Sequence, residues 1–248
     1  MSDEAQPLGL VMPGRSLSAS HGWSWVRGGW SFFTAAPLMW IVFMVVLVIA
    51  SVVFHFFPII GSLAWQVFSP VISAGLVVGC RSLETSGQLE LEHLFAGFRM
   101  NFGKLIILGL LYVLGGLIIL GVLFAFVGTS IVMAVINGNS EALVQAFAIT
   151  APLLIGSFVA LVLAALLLSA YWFAPALVAM HGVSPAKAMM ASLGATFRNV
   201  GPFLVYGLVM FFFLIIAMIP FGLGLLVWAP VMIAAGYFSY REVFTEGV

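Results

Sequence analysis

The chain of 248 residues is 64% hydrophobic and only 6% charged, where a soluble domain carries roughly a quarter charged residues, so an ordinary soluble fold is excluded. Eight Lys and Arg balance eight Asp and Glu, and no basic patch with interleaved aromatics occurs, which excludes nucleic acid as a partner. The single cysteine, Cys80, excludes an intrachain disulfide and a cysteine-built metal site.

Residues 1–22 begin with two acids, carry Pro7 and Pro13 and have no continuous apolar core. They read as a short disordered tail rather than a cleaved signal peptide, ahead of a single membrane domain over 23–248. Six apolar runs follow, at 38–57, 59–80, 105–127, 153–180, 203–219 and 221–240, each near the twenty or so residues a spanning helix needs. Backbone polar groups in lipid must be satisfied within the segment, and the alternation of barrel strands is missing, so the fold is all-α.

Ahead of the first, third and fifth runs lie "HGWSWVRGGWSFF", "LELEHLFAGFRMNF" and "SPAKAMMASLGATFRN", which read as helices in the membrane interface. Their apolar faces are Trp23, Val26, Trp30 and Phe33; then Leu91, Leu94, Phe95, Phe98 and Phe102; then Ala186, Met189, Met190, Leu193 and Phe197. Ser184 and Pro185 give the third a helix start. With hairpins closing at Pro58 and Pro220, all eight Lys and Arg fall on one side, which the positive-inside rule makes cytoplasmic, with both termini. The connection over 128–150 lies outside, where "EALVQAFAI" is expected to lie flat as a short interfacial helix.

Three of the runs share a signature of an aromatic, a small residue, a proline and an apolar pair: "QVFSPVISAG", "YWFAPALVAM" and "LVWAPVMIAA". The unit is an interfacial helix, a helix going out and a helix returning with this signature, repeated three times. From Pro70, Pro175 and Pro230 the next cation is eleven, twelve and eleven residues on, which at about 1.5 Å per residue places each proline near the bilayer midplane. Each proline frees the carbonyl four residues earlier, at Gln66, Tyr171 and Leu226. One reading is a set of packing kinks. The other is three broken helices around a midplane site formed by Gln66, Pro70, Tyr171, Pro175, Trp228 and Pro230.

The six runs hold no Asp, Glu, Lys or Arg, which argues against proton or ion coupling. His55 reads as an interfacial anchor, and Ser62, Ser69, Ser73, Gly115 and Gly116 as packing contacts. Glu84, Glu90, Glu92 and His93 read as a solvated face rather than a metal site, and no catalytic or phosphate-binding motif occurs. No enzyme activity, metal or cofactor is expected. At the end of the chain Tyr237, Tyr240, Arg241 and Glu242 form an aromatic and charged cap, expected to be uncovered and available for docking.

The stretches "GWSWVRGGWSFFTAAPLMW", "FAPALVAMHGVSPAKAMMASLGATFRN" and "YFSYREVF" resemble an uncharacterised family of proteobacterial inner-membrane proteins. That family is in turn similar in pattern to the membrane domain of some glycerophosphodiester phosphodiesterases. The resemblance implies a bacterial inner-membrane location and no activity. Mitochondrial carriers also repeat a proline-bearing helix pair three times, but the charged pairs that follow their prolines are replaced here by Ile72 and Gly75, Leu177 and Met180, and Met232 and Ala235.

The expected object is therefore an all-α integral membrane protein with six transmembrane helices in three repeats, its partners the lipid bilayer and another membrane protein. Its expected role is a scaffold or accessory subunit of a membrane complex or of envelope lipid homeostasis. The alternative is a facilitative transporter of a small apolar or amphipathic solute.

Overall fold

A computed structural model describes residues 9–136 and 142–246. The helices are α1 (His21–Ala35), α2 (Pro37–His55), α3 (Pro58–Ser86), a 3-10 helix (Leu91–Phe98), α4 (Phe102–Ile136), α5 (Ala142–Trp172), α6 (Ala174–His181), α7 (Pro185–Arg198), α8 (Val200–Met218) and α9 (Leu225–Phe244). Among the described residues, five segments are long and apolar enough to cross a membrane: Pro37–His55, Pro58–Ser86, Phe102–Phe126, Pro152–His181 and Val200–Met218. They present broad apolar surfaces outward, such as Val48, Ile49, Val52 and Val53 on α2 and Leu208, Phe211 and Phe212 on α8, as a lipid-facing bundle must.

The sixth expected run is helical but does not meet that criterion. Phe221 and Gly222 take positive φ of 53° and 80° to form the turn after α8, so α9 starts only at Leu225 and carries the charged pair Arg241 and Glu242 in its last turn. A second departure concerns 128–150. No separate interfacial helix lies there, because α4 runs on to Ile136 and the apolar stretch from Ala142 is the first part of α5; the intervening residues, including Glu141, lie outside the described ones.

The three stretches expected at the interface are helices, each directly ahead of a spanning segment. Their buried faces, however, mix small residues with a few large ones and match the expected faces only in part. On α1 the residues turned inward are Gly22, Trp25, Val26, Gly29 and Phe33, whereas Trp23 and Trp30 are exposed. On α7 they are Ala188, Ala191, Ser192 and Ala195, with Met190 and Phe197 outside. In the 3-10 helix only Leu94 of the expected face is buried, and Phe95, Phe98 and Phe102 form an exposed aromatic row. Val26, Phe33 and Leu94 of the expected faces therefore do turn inward, Trp23, Trp30, Phe95 and Phe98 turn outward, and small residues let the helices cross their partners closely.

The 3-10 helix packs most on α3, α7 on α5, and α1 on α9. The close approaches are equivalent in two of the three. A Cβ on Gly97 would lie 1.9 Å from the Val71 carbonyl oxygen, and one on Gly29 would lie 2.4 Å from that of Val231. Val71 and Val231 each follow a signature proline, so Pro70 and Pro230 mark crossing points. They do not break their helices, since α3 and α9 run through them. The chain breaks only ahead of Pro175, at Phe173, between α5 and α6.

The N-terminal tail, expected to be disordered over 1–22, is ordered from Gly9. Val11 and Arg15 donate backbone hydrogen bonds to the carbonyls of Phe244 and Val243, and Glu246 donates to Gly9. The Asn199 amide receives the Leu17 N–H at 2.8 Å and donates to the Arg15 carbonyl at 2.9 Å. This strap is held by backbone pairing, which composition does not reveal, and it keeps both described ends of the chain together at the cation-bearing end. It also lies over Val243 and Phe244, and Tyr237 and Tyr240, packed against Phe32, Glu84 and His181, are at most 2% exposed. The cap expected to be uncovered is core.

Candidate functional site

The helices α3, α5–α6 and α9, with Tyr112 of α4, line a half-open cavity of about 560 Å³. Of the six residues expected at a midplane site, Gln66, Tyr171 and Pro175 line it. Pro70 and Pro230 are buried at the helix crossings instead. Trp228 faces a different groove and donates its indole N–H to the Met210 carbonyl at 2.8 Å, joining α9 to α8.

The polar wall of the cavity comes from α3 and α5. Helical spacing sets Gln66, Ser69 and Ser73 on one side of α3. The hydroxyls of Ser69 and Tyr171 are 2.9 Å apart, and Ser73 also reaches the Tyr171 hydroxyl. The rings of Tyr112 and Tyr171 lie 4.6 Å apart, centroid to centroid, so α4 closes this wall with a second aromatic. The opposite wall, from Ala176, Met232, Ile233 and Gly236, is apolar or bare. One hydroxyl-lined side and one apolar side suit an amphipathic guest of a few hundred Å³.

At the cation-bearing end of the cavity, contacts link α3, α6 and α9. Glu84 of α3 pairs with Arg241 of α9 and accepts a hydrogen bond from the Tyr237 hydroxyl, 2.5 Å away. His181 of α6 meets the Tyr240 hydroxyl at 2.7 Å. Glu242 turns the other way, receiving the Trp25 indole N–H at 2.7 Å with His21 Nδ1 also at 2.7 Å, and so fastens α1 to α9. All four residues expected to serve as a docking patch, Tyr237, Tyr240, Arg241 and Glu242, are thus engaged within the chain.

The break at Phe173 is filled by a side chain. The Ser192 hydroxyl on α7 accepts the Phe173 backbone N–H at 3.0 Å and donates to the Ser169 carbonyl at 2.7 Å. Phe173 and Ser169 are four apart, the spacing of a helical hydrogen bond, so the hydroxyl is inserted between the two groups that such a bond would join. Ser192 is fully buried. This lets the chain change direction ahead of Pro175 without leaving orphaned backbone groups in an apolar setting.

Sequence reading missed Tyr112, His181, Ser192 and the inward role of Glu84. The one available signal for Ser192 was a lone hydroxyl on an alanine face. For Glu84 it was that α3 continues beyond the apolar run, which puts this acid on the helix rather than in a loop. Glu90 and His93 form a reciprocal cap on the 3-10 helix, and no cluster of three His, Cys, Asp or Glu able to hold a metal occurs among the described residues.

A probable inner membrane protein of Burkholderia thailandensis is 30% identical to this chain over 218 residues, covering 86% of this chain and 80% of that protein. No family profile matches the chain. No solved structure matches it either.

Proposed function

Because this chain belongs to the same family as the Burkholderia thailandensis inner-membrane protein, and is itself a multi-pass inner-membrane protein, we propose that it is a non-enzymatic, facilitative transporter of small apolar or amphipathic solutes. The observation that carries this reading is the cavity lined by Gln66, Ser69, Ser73 and Tyr171 between the three returning helices. Repeat-built transporters place their sites at such a junction of broken or kinked helices near mid-depth.

In this reading α9 is the sixth span, shortened by its turn, and the three units surround a pseudo-threefold axis. The cyclic packing of each interfacial helix on the preceding unit's returning helix supports that arrangement. The cation-bearing end is cytoplasmic. The solute enters from the opposite side, and the contacts Glu84–Arg241, Tyr237–Glu84 and His181–Tyr240 form the cytoplasmic gate. The short α6, separated from α5 at Phe173, is the element that moves, because a helix already broken there bends at less cost than an intact one.

Native mass spectrometry of the protein released gently from its own membrane tests the reading. A Cβ on Gly236 meets nothing within 4 Å, so Gly236→Phe fills the cavity without displacing a neighbour's backbone. The reading expects a stoichiometric small molecule on the wild type that is absent from Gly236→Phe. A reproducible protein companion with no small molecule would overturn it in favour of an accessory subunit.

A further inference from the structure

A second concavity, of about 680 Å³, lies outside the bundle core between α1, α8 and α9. Its walls are almost entirely apolar, with Phe213 and Ala217 on α8 and Trp228 on α9, and it ends at the turn around Pro220. Above it, Trp23, Arg27 and Trp30 line the groove from α1. They sit at i, i+4 and i+7, one stripe of the helix, and this is the side turned away from the buried Gly22, Trp25 and Gly29.

Arg27 is the feature that needs an explanation. It is exposed at the edge of an apolar surface, and it belongs to neither the His21–Glu242 nor the Arg241–Glu84 pair. The acid at this end of α9, Glu242, is already held by His21 and Trp25. A guanidinium at the margin of hydrocarbon is costly unless an anion meets it. Trp23 and Trp30, 44% and 52% exposed, flank it as aromatics do at headgroup level. Since α2 starts at Pro37, directly after α1, and has only 19 residues with which to cross, α1 lies at the membrane margin, where lipid phosphates are found.

We infer that this groove holds one anionic glycerophospholipid of the surrounding bilayer, with its phosphate on Arg27 and one acyl chain in the slot between α8 and α9. The fork of an Arg side chain matches two phosphate oxygens. From Met210 to Ile219, both of which line the groove, α8 rises about 14 Å, room for a good part of one acyl chain along it. The lipid would fasten α1 against the α8–α9 hairpin from outside, where Trp25 and Gly22 already fasten it from inside.

The test is native mass spectrometry of the intact protein ejected from nanodiscs made of phosphatidylcholine and phosphatidylglycerol in equal amounts. The wild type should retain one phosphatidylglycerol in preference to phosphatidylcholine by about tenfold or more. Arg27→Gln should lose that preference and Arg27→Lys should keep part of it. Ala217→Trp, which fills the slot, should retain neither lipid. Gly236→Phe should behave as wild type, which separates this groove from the central cavity. Equal retention of the two lipids by the wild type, an unchanged preference in Arg27→Gln, or a second copy of the chain in place of lipid would overturn the inference.

Discussion

Glu84 and Arg241 form an ion pair that ties α3 to α9 at the cation-bearing end of the cavity. Tyr237 donates to the same carboxylate. Residues that share partners couple energetically. Glu84→Gln and Arg241→Gln should therefore each lower the Tm in detergent, and the double variant should lose less than their sum, by about 0.5 kcal/mol or more. Strict additivity would show that the pair does not act as a unit.

Ser192→Ala removes the hydroxyl from the α5–α6 break and strands the Phe173 N–H in a buried place, while the Ser169 carbonyl keeps only the longer bond from Thr196 at 3.4 Å. The expected loss is about 1–3 kcal/mol, the cost of buried polar groups left unpaired. Ser82→Ala, at an exposed position, should change stability by less than about 0.5 kcal/mol. Equal effects at the two serines would refute the inserted hydroxyl.

Gly97→Ala and Gly29→Ala put a Cβ into the carbonyls of Val71 and Val231, backbone atoms that cannot step aside. Both should sharply reduce the yield of folded protein. Gly116→Ala and Gly207→Ala, where a Cβ would meet nothing within 4 Å, should be tolerated, and should gain up to about 1 kcal/mol from helix propensity. A ranking by solubility or expression level that ignores this division would count against the crossings.

The orientation is open to a labelling experiment in a Cys80→Ala background. Phe221, fully exposed in the turn between α8 and α9, should react as Phe221→Cys with an impermeant thiol reagent added to intact spheroplasts. Gln88→Cys, beside the α3 C-terminal glycine, should react only in inverted vesicles. Labelling of both positions from one side would reject six spans with the termini inside.

What sequence made legible was whatever repeats with a period or a composition. The apolar runs, the helix start at Pro185 and the helices over the three stretches ahead of the first, third and fifth runs all follow from hydropathy and helix-start chemistry. The facing of those helices was not legible, because in a membrane both faces are apolar and size decides which one packs: Gly29 and Ala188 turn inward while Trp30 and Met190 do not. The proline signature located the returning helices but overstated the break, since Pro70 and Pro230 sit in continuous helix and only the Pro175 copy has a serine from another helix to complete the backbone. The strap over 9–20 depends on pairing between the two ends of the chain, residues more than two hundred apart, and the burial of Tyr237 and Tyr240 on contacts with Phe32, Glu84 and His181, which no local pattern encodes.

Cys80 gives the central claim its most direct test, because the only cysteine of the chain lines the cavity and is fully buried beneath the Glu84–Arg241 contact. The measurement is the rate at which an impermeant thiol reagent modifies Cys80 in inverted membrane vesicles. The account predicts slow reaction in the wild type, an acceleration on the order of tenfold in Glu84→Gln, as a shift of about 1.4 kcal/mol in an opening equilibrium would give, and loss of that acceleration when Gly236→Phe is added. A Glu84→Gln variant that reacts at the wild-type rate, or an acceleration that survives Gly236→Phe, would contradict a gated cavity between the three returning helices.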